Sequence, residues 1–98
     1  MEINRQKEER KLTIALEGRL DTMTAPRLEA ELKQSAGDVT ELVFDFAKLE
    51  YISSAGLRVL LLAQKAMNRQ GSMVICNVNE IVMEVFEVTG FVNILDIK

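Results

Sequence analysis

The sequence predicts a single α/β domain, residues 1–98, in which one mixed, mostly parallel sheet packs against about three helices. Three observations carry that expectation. At 98 residues the chain is long enough for one core and too short for two. With 48% apolar residues it can bury that core without disulfide or metal staples. Apolar periodicity switches repeatedly between two and 3.6 residues, with no linker and no internal repeat, giving the order β-β-α-β-α-β-α-β.

Each element has its own signal. Ile3 to Glu8 reads as a polar edge strand. Lys11 to Gly18 alternates Leu12, Ile14 and Leu16 against Thr13, Ala15 and Glu17, the pattern of a half-buried strand. Thr24 offers an N-cap and Pro26 suits the first turn of a helix, with Ala25, Leu28, Leu32 and Ala36 facing inward and Gly37 as its stop. Leu42 to Phe46 is a short central strand, followed by a turn at Lys48-Leu49-Glu50. The most apolar helix runs from Leu57 to Gln70 and closes on Gly71. Met73 to Cys76 makes a further buried strand. A helix from about Asn79 to Thr89 buries Val82, Val85 and Phe86 and stops at Gly90, leaving Val92 to Ile97 for a last short strand. Strands separated by helices of this length pair in parallel, so the antiparallel pair is the first one.

Composition excludes whole classes of chemistry. There is no histidine, so Ser-His-Asp triads, Cys-His pairs and imidazole metal sites are all ruled out. The lone Cys76 sits in an apolar strand and reads as packing. No Walker-type loop and no GxGxxG after a strand is present. A net charge of −3 with a pI near 5.0 argues against nucleic acid, which needs a concentrated basic face. Met1 to Arg10 is polar and charged, and the longest apolar runs are too short to span a bilayer. These features predict a cytoplasmic protein with no membrane span, no catalytic residues, no cofactor and no metal.

The informative segment is the junction before the apolar helix. Ser53 and Ser54 precede Ala55 and Gly56 at a helix start in a parallel βα unit. Free N–H groups and the positive end of the helix dipole lie there, so an anion attached to Ser54 would be stabilised. Gly56 leaves room for a phosphate or a partner backbone to approach. Taken alone, serine at a helix start is more often only a cap. A nucleotide phosphate could use the same place non-covalently, but no P-loop lysine, metal-ligand cluster or aromatic stacking platform accompanies it.

Read in order, Gly18-Arg19-Leu20-Asp21, Thr24 opening a helix, Leu42 to Phe46, Tyr51-Ile52-Ser53-Ser54-Ala55-Gly56-Leu57 and Val85-Phe86-Glu87-Val88-Thr89-Gly90-Phe91 resemble the STAS domain of bacterial anti-sigma factor antagonists. The resemblance covers nearly the whole chain and implies a mixed sheet with helices largely on one side. The family motif is Asp-Ser-(Ser/Thr)-Gly, whose first serine is phosphorylated by a partner kinase. On that pattern Ser53 takes the aspartate position, Ser54 the acceptor, Ala55 the second hydroxyl and Gly56 the glycine. Arg58 stands where the family often has glycine, within reach of a phosphate or an acidic partner, though a solvated surface charge is the simpler reading. Asp21 matches an acidic residue near the acceptor, and is equally a turn residue before a helix.

The implied function is that of a non-enzymatic anti-sigma factor antagonist. It would bind a GHKL-type anti-sigma serine kinase, free a sigma factor and be switched off by phosphorylation of Ser54, with a PP2C-type phosphatase resetting it and a homodimer contact left open. The implied contact surface is net acidic, like the chain. The alternative is a non-switching STAS subunit of a transporter or signalling assembly.

Overall fold

The computed structural model describes residues Met1–Lys98, and its sheet follows directly from the alternating segments. Strands β1 (Glu2–Glu8), β2 (Lys11–Leu20), β3 (Glu41–Ile52) and β4 (Ser72–Cys76) lie side by side in that order. β1 pairs antiparallel with β2, while β2–β3 and β3–β4 are parallel. Register sets Leu12 beside Leu42 and Leu42 beside Met73, and one pair further along Ile14 beside Phe44 and Phe44 beside Ile75. All of these are buried, on the face that the helices cover. Thr13, Ala15, Val43, Val74 and Cys76 point the other way and are half-buried.

Three helices join the core cluster through one stripe each. Helix α1 (Ala25–Ser35) contributes Ala25 and Leu28, and α2 (Ser54–Gln70) contributes Leu57, Val59, Leu60, Ala63 and Met67. Helix α3 (Glu80–Thr89) inserts Val82 and Phe86. Phe86 lies 6.5 Å from Phe46 by ring centroid, and Phe46 lies 5.7 Å from Phe44, so an aromatic row ties α3 to the central strand. Asn79 caps α3 by accepting from the Val82 N–H at 2.8 Å, and its amide donates to the Leu49 carbonyl at 2.7 Å. No helix is long and apolar enough to cross a membrane.

The chain departs from the sequence reading at several points, among them β2 running on past Gly18 to Leu20 and Val85 of α3 being only half-buried. β3 runs on through Lys48-Leu49-Glu50, where a turn was expected. Its pairing with β2 shifts register twice, between Ala15 and Glu17 and between Gly18 and Arg19, so extra β3 residues bulge out while pairing continues to Ile52. The strand expected over Val92–Ile97 shrinks to one parallel bridge, Ile97 with Ile75. A short 3-10 turn, Phe91–Asn93, takes its place, because the Phe91 carbonyl accepts from both the Ile94 and Leu95 N–H groups. α1 ends at Ser35 with Ala36 as its C-cap, one residue before Gly37. Thr24 precedes α1 with helical dihedrals and makes no side-chain cap. Gly71 does close α2 as expected, for a steric reason: a Cβ there would lie 1.9 Å from the Thr40 carbonyl oxygen.

Candidate functional site

The C-terminal ends of β2 and β3 meet at one corner of the molecule. Arg19 pairs with Tyr51 and Leu20 with Ile52, and the Ser53 N–H donates to the Leu20 carbonyl at 2.9 Å. That bond ends the strand and starts α2. Ser53 is extended (φ −103°, ψ 177°), and its carbonyl accepts the first intrahelical bond, from the Leu57 N–H at 3.0 Å. Its hydroxyl does not cap the helix: Oγ is buried and has no hydrogen-bond partner. Ser54 is the first residue of α2, is exposed, and makes no side-chain hydrogen bond.

Gly56 has a different reason from the one its sequence context suggested. It is buried, and a Cβ would meet Leu20 Cγ at 2.7 Å and Ile52 Cγ1 at 2.9 Å. The space its missing side chain leaves is filled by the core, so Gly56 lets α2 sit close on β2 and β3 and is not open to a phosphate. Ala55 is half-buried against the same core. These two residues hold the helix start in place, and Ser54 is the one of the four that faces solvent.

Asp21 builds the neighbouring turn. Its Oδ1 accepts from the Met23 N–H at 3.0 Å and the Thr24 N–H at 3.2 Å, and its own N–H donates to Thr24 Oγ1 at 2.9 Å. The single Thr24 hydroxyl proton goes to the Arg19 carbonyl, 2.8 Å away. The aspartate therefore does the capping that the sequence suggested for Thr24. Arg19 Nε lies 3.7 Å from Asp21 Oδ2, and its guanidinium sits 4.1 Å from the Tyr51 ring centroid. No hydrogen bond joins Asp21 to Ser54.

Partial burial pushes the Asp21 carboxyl up, but the Thr24 and Met23 N–H bonds and the Arg19 charge outweigh it and hold the group below its ordinary value. A carboxyl depressed in the folded state adds stability above its unfolded pKa and loses it as pH falls through the folded one. The Met23 and Thr24 amide resonances are therefore expected to titrate with a midpoint below the usual carboxylate range, and to stop doing so in Asp21→Asn. A midpoint at or above that range in the native protein would contradict the turn geometry.

Arg58 follows Ser54 by one helical turn, is exposed, and makes no ion pair or hydrogen bond. Arg58 is thus an unpaired cation one turn from Ser54, while the charge of Arg19 on the adjacent strand end is offset by Asp21.

Comparison with known proteins bears on the family and the fold. A sequence model of the STAS domain matches residues 2–98. A Bordetella bronchiseptica protein named as an anti-sigma factor antagonist, BtrV, is 39% identical over 99% of this chain and 85% of its own length. Two solved structures share the fold. An anti-sigma factor antagonist from Mycobacterium paratuberculosis superposes with a TM-score of 0.88 at 18% identity, over 98% of this chain and 83% of that one. The Bacillus cell fate determinant SpoIIAA in its phosphorylated form gives 0.77 at 19% identity, over 99% and 91%.

Proposed function

The chain belongs to the STAS domain family, and from that premise we propose that it is an anti-sigma factor antagonist whose binding is switched at Ser54. The observation that carries the reading is the exposed, unbonded Ser54 hydroxyl on the first turn of α2, in a chain 39% identical to a protein named for that role. Unmodified, the corner around Ser54 and the exposed side of α2 bind a GHKL-type anti-sigma serine kinase, which then lets go of its sigma factor. The kinase ends the interaction by transferring the γ-phosphoryl group of ATP. A bond forms between Ser54 Oγ and phosphorus, the bond to the ADP oxygen breaks, and the hydroxyl proton leaves to a base on the kinase. This chain contributes the acceptor and the surface and does none of the chemistry. A PP2C-type phosphatase restores the hydroxyl by hydrolysis.

Local physics favours Ser54 as acceptor. The first N–H groups of α2 have no intrahelical acceptor, and the helix dipole adds positive potential, so a phosphate carrying about −1.5 to −2 charges is stabilised there. The fold need not move for the switch to operate.

The test is incubation of the purified protein with its cognate serine kinase and ATP, followed by mass mapping. One phosphate on Ser54 is expected, and phosphate on neither Ser53 nor Ser54 removes the switch. One observation favours a second reading. Ser53, with its buried and unpartnered hydroxyl, replaces the aspartate of the family motif, which suits a non-switching subunit of a transporter or signalling assembly. An unmodified chain that co-purifies with a transporter ATPase supports that alternative.

A further inference from the structure

The side of α2 that carries Ser54 is basic from end to end. The charged residues of the helix are Arg58, Lys65 and Arg69, with no acid among them. All three are exposed, and none enters an ion pair. At about 100° per residue, Ser54, Arg58, Leu62, Lys65 and Arg69 fall within roughly 80° of one another, so they form a single stripe. Leu62, 44% exposed, stands in the middle of it. The rest of the surface runs the other way: the chain as a whole carries −3, and α3 bears Glu80, Glu84 and Glu87 with no basic residue.

We infer that the partner surface docking on this stripe is acidic, with carboxylates against Arg58, Lys65 and Arg69 around an apolar contact for Leu62, and that phosphate on Ser54 releases it by taking Arg58 as its own counter-ion. The inference rests on Ser54 being the acceptor of a kinase-binding switch and adds the chemistry of the partner. Charge complementarity selects the occupant. A second copy packed α2 to α2 across a two-fold axis would set the three cations against their own kind, and one that laid its acidic α3 on the stripe would show as self-association of the native protein. Long helical side chains lean toward the helix N-terminus, so Arg58 reaches back over the turn that begins with Ser54. A phosphate there forms a charge-assisted pair within its own helix. The partner then loses a cation and meets an anion in its place. Arg19 is not free to do the same, because Asp21 and Tyr51 hold it.

Two measurements test this. In the first, binding of the native protein to its cognate serine kinase is measured by calorimetry at low and high salt, beside the pair of substitutions Lys65→Glu and Arg69→Glu. Native affinity is expected to fall with salt, and the double variant to bind about tenfold or more weakly with a reduced salt dependence. Equal binding by a double variant whose melting curve is native overturns the acidic partner. Self-association of the native protein that the double variant abolishes overturns it in favour of a second copy. A native protein that does not bind the kinase overturns the antagonist reading and the acidic partner together. In the second, phosphoserine is placed at position 54 during translation and followed by phosphorus NMR against pH, without any kinase. The second phosphate pKa is expected below its ordinary value of about 6 and to rise in Arg58→Gln. Identical titrations overturn the role of Arg58, whatever the kinase does.

Discussion

Ser54→Asp is expected to weaken binding of the cognate serine kinase at least tenfold, and phosphorylation of Ser54 by more than a hundredfold. A loss of about 3 kcal/mol corresponds to just over a hundredfold in dissociation constant, and a partner carboxylate left without Arg58 in a desolvated contact can supply it. The aspartate carries one charge on a shorter arm, so it reproduces the sign of the effect and part of its size. Ser54→Ala, which adds no charge, is expected to bind within a few-fold of native. The fold is a built-in control. Ser54 is exposed and bonds to nothing, and an acid on the first turn of a helix is favourable to its dipole. The Asp variant is therefore expected to melt at or slightly above the native temperature while losing affinity. Calorimetric titration and a thermal melt on the same sample separate the two effects. Native-like affinity in Ser54→Asp would rule out an electrostatic switch at this corner.

What was legible in the sequence divides along physical lines. Leu12, Ile14 and Leu16 alternate because one side of β2 is buried, and that periodicity is a direct print of the core. The ends of elements are set by backbone bonds to distant segments, and those leave weaker marks. Lys48 and Glu50 read as a turn because they are polar, yet bulged pairing with β2 carries the strand through them. Thr24 and Asp21 are both good caps in composition, and only geometry assigns the work to Asp21. Gly56 looked like an opening for a ligand, whereas Leu20 and Ile52 show that it serves close packing of α2. The basic stripe was within reach of the sequence, since Arg58, Lys65 and Arg69 share helical phase with Ser54. A net charge of −3 averaged over the chain concealed it.

Phe86→Ala is expected to have the largest effect on stability, a loss of about 3–5 kcal/mol measured by urea unfolding. Phe86 is fully buried and ends the aromatic row through Phe46 to Phe44 on the central strand. Truncation forfeits the transfer free energy of the ring and leaves a void that the rigid sheet cannot close. α3 has only ten residues and two buried anchors, Val82 and Phe86, so the loss falls on an element too short to hold its own helix in water. The Asn79 contacts with Val82 and Leu49 hold only its first turn. For a domain with a total stability of roughly 5–15 kcal/mol, such a loss leaves α3 frayed or the protein largely unfolded at physiological temperature. Phe86→Leu, which refills most of the volume, is expected to cost about 1–1.5 kcal/mol. If Phe86→Ala instead lost under 1 kcal/mol, α3 would be held by something other than the aromatic row. Because Phe86 is fully buried whereas Ser54 and the α2 stripe are exposed, any folded Phe86→Leu protein should bind the kinase as the native chain does. Unaltered binding in a destabilised variant, set against lost binding in the stable Ser54→Asp, would show that the core and the switch are separable parts of the same small domain.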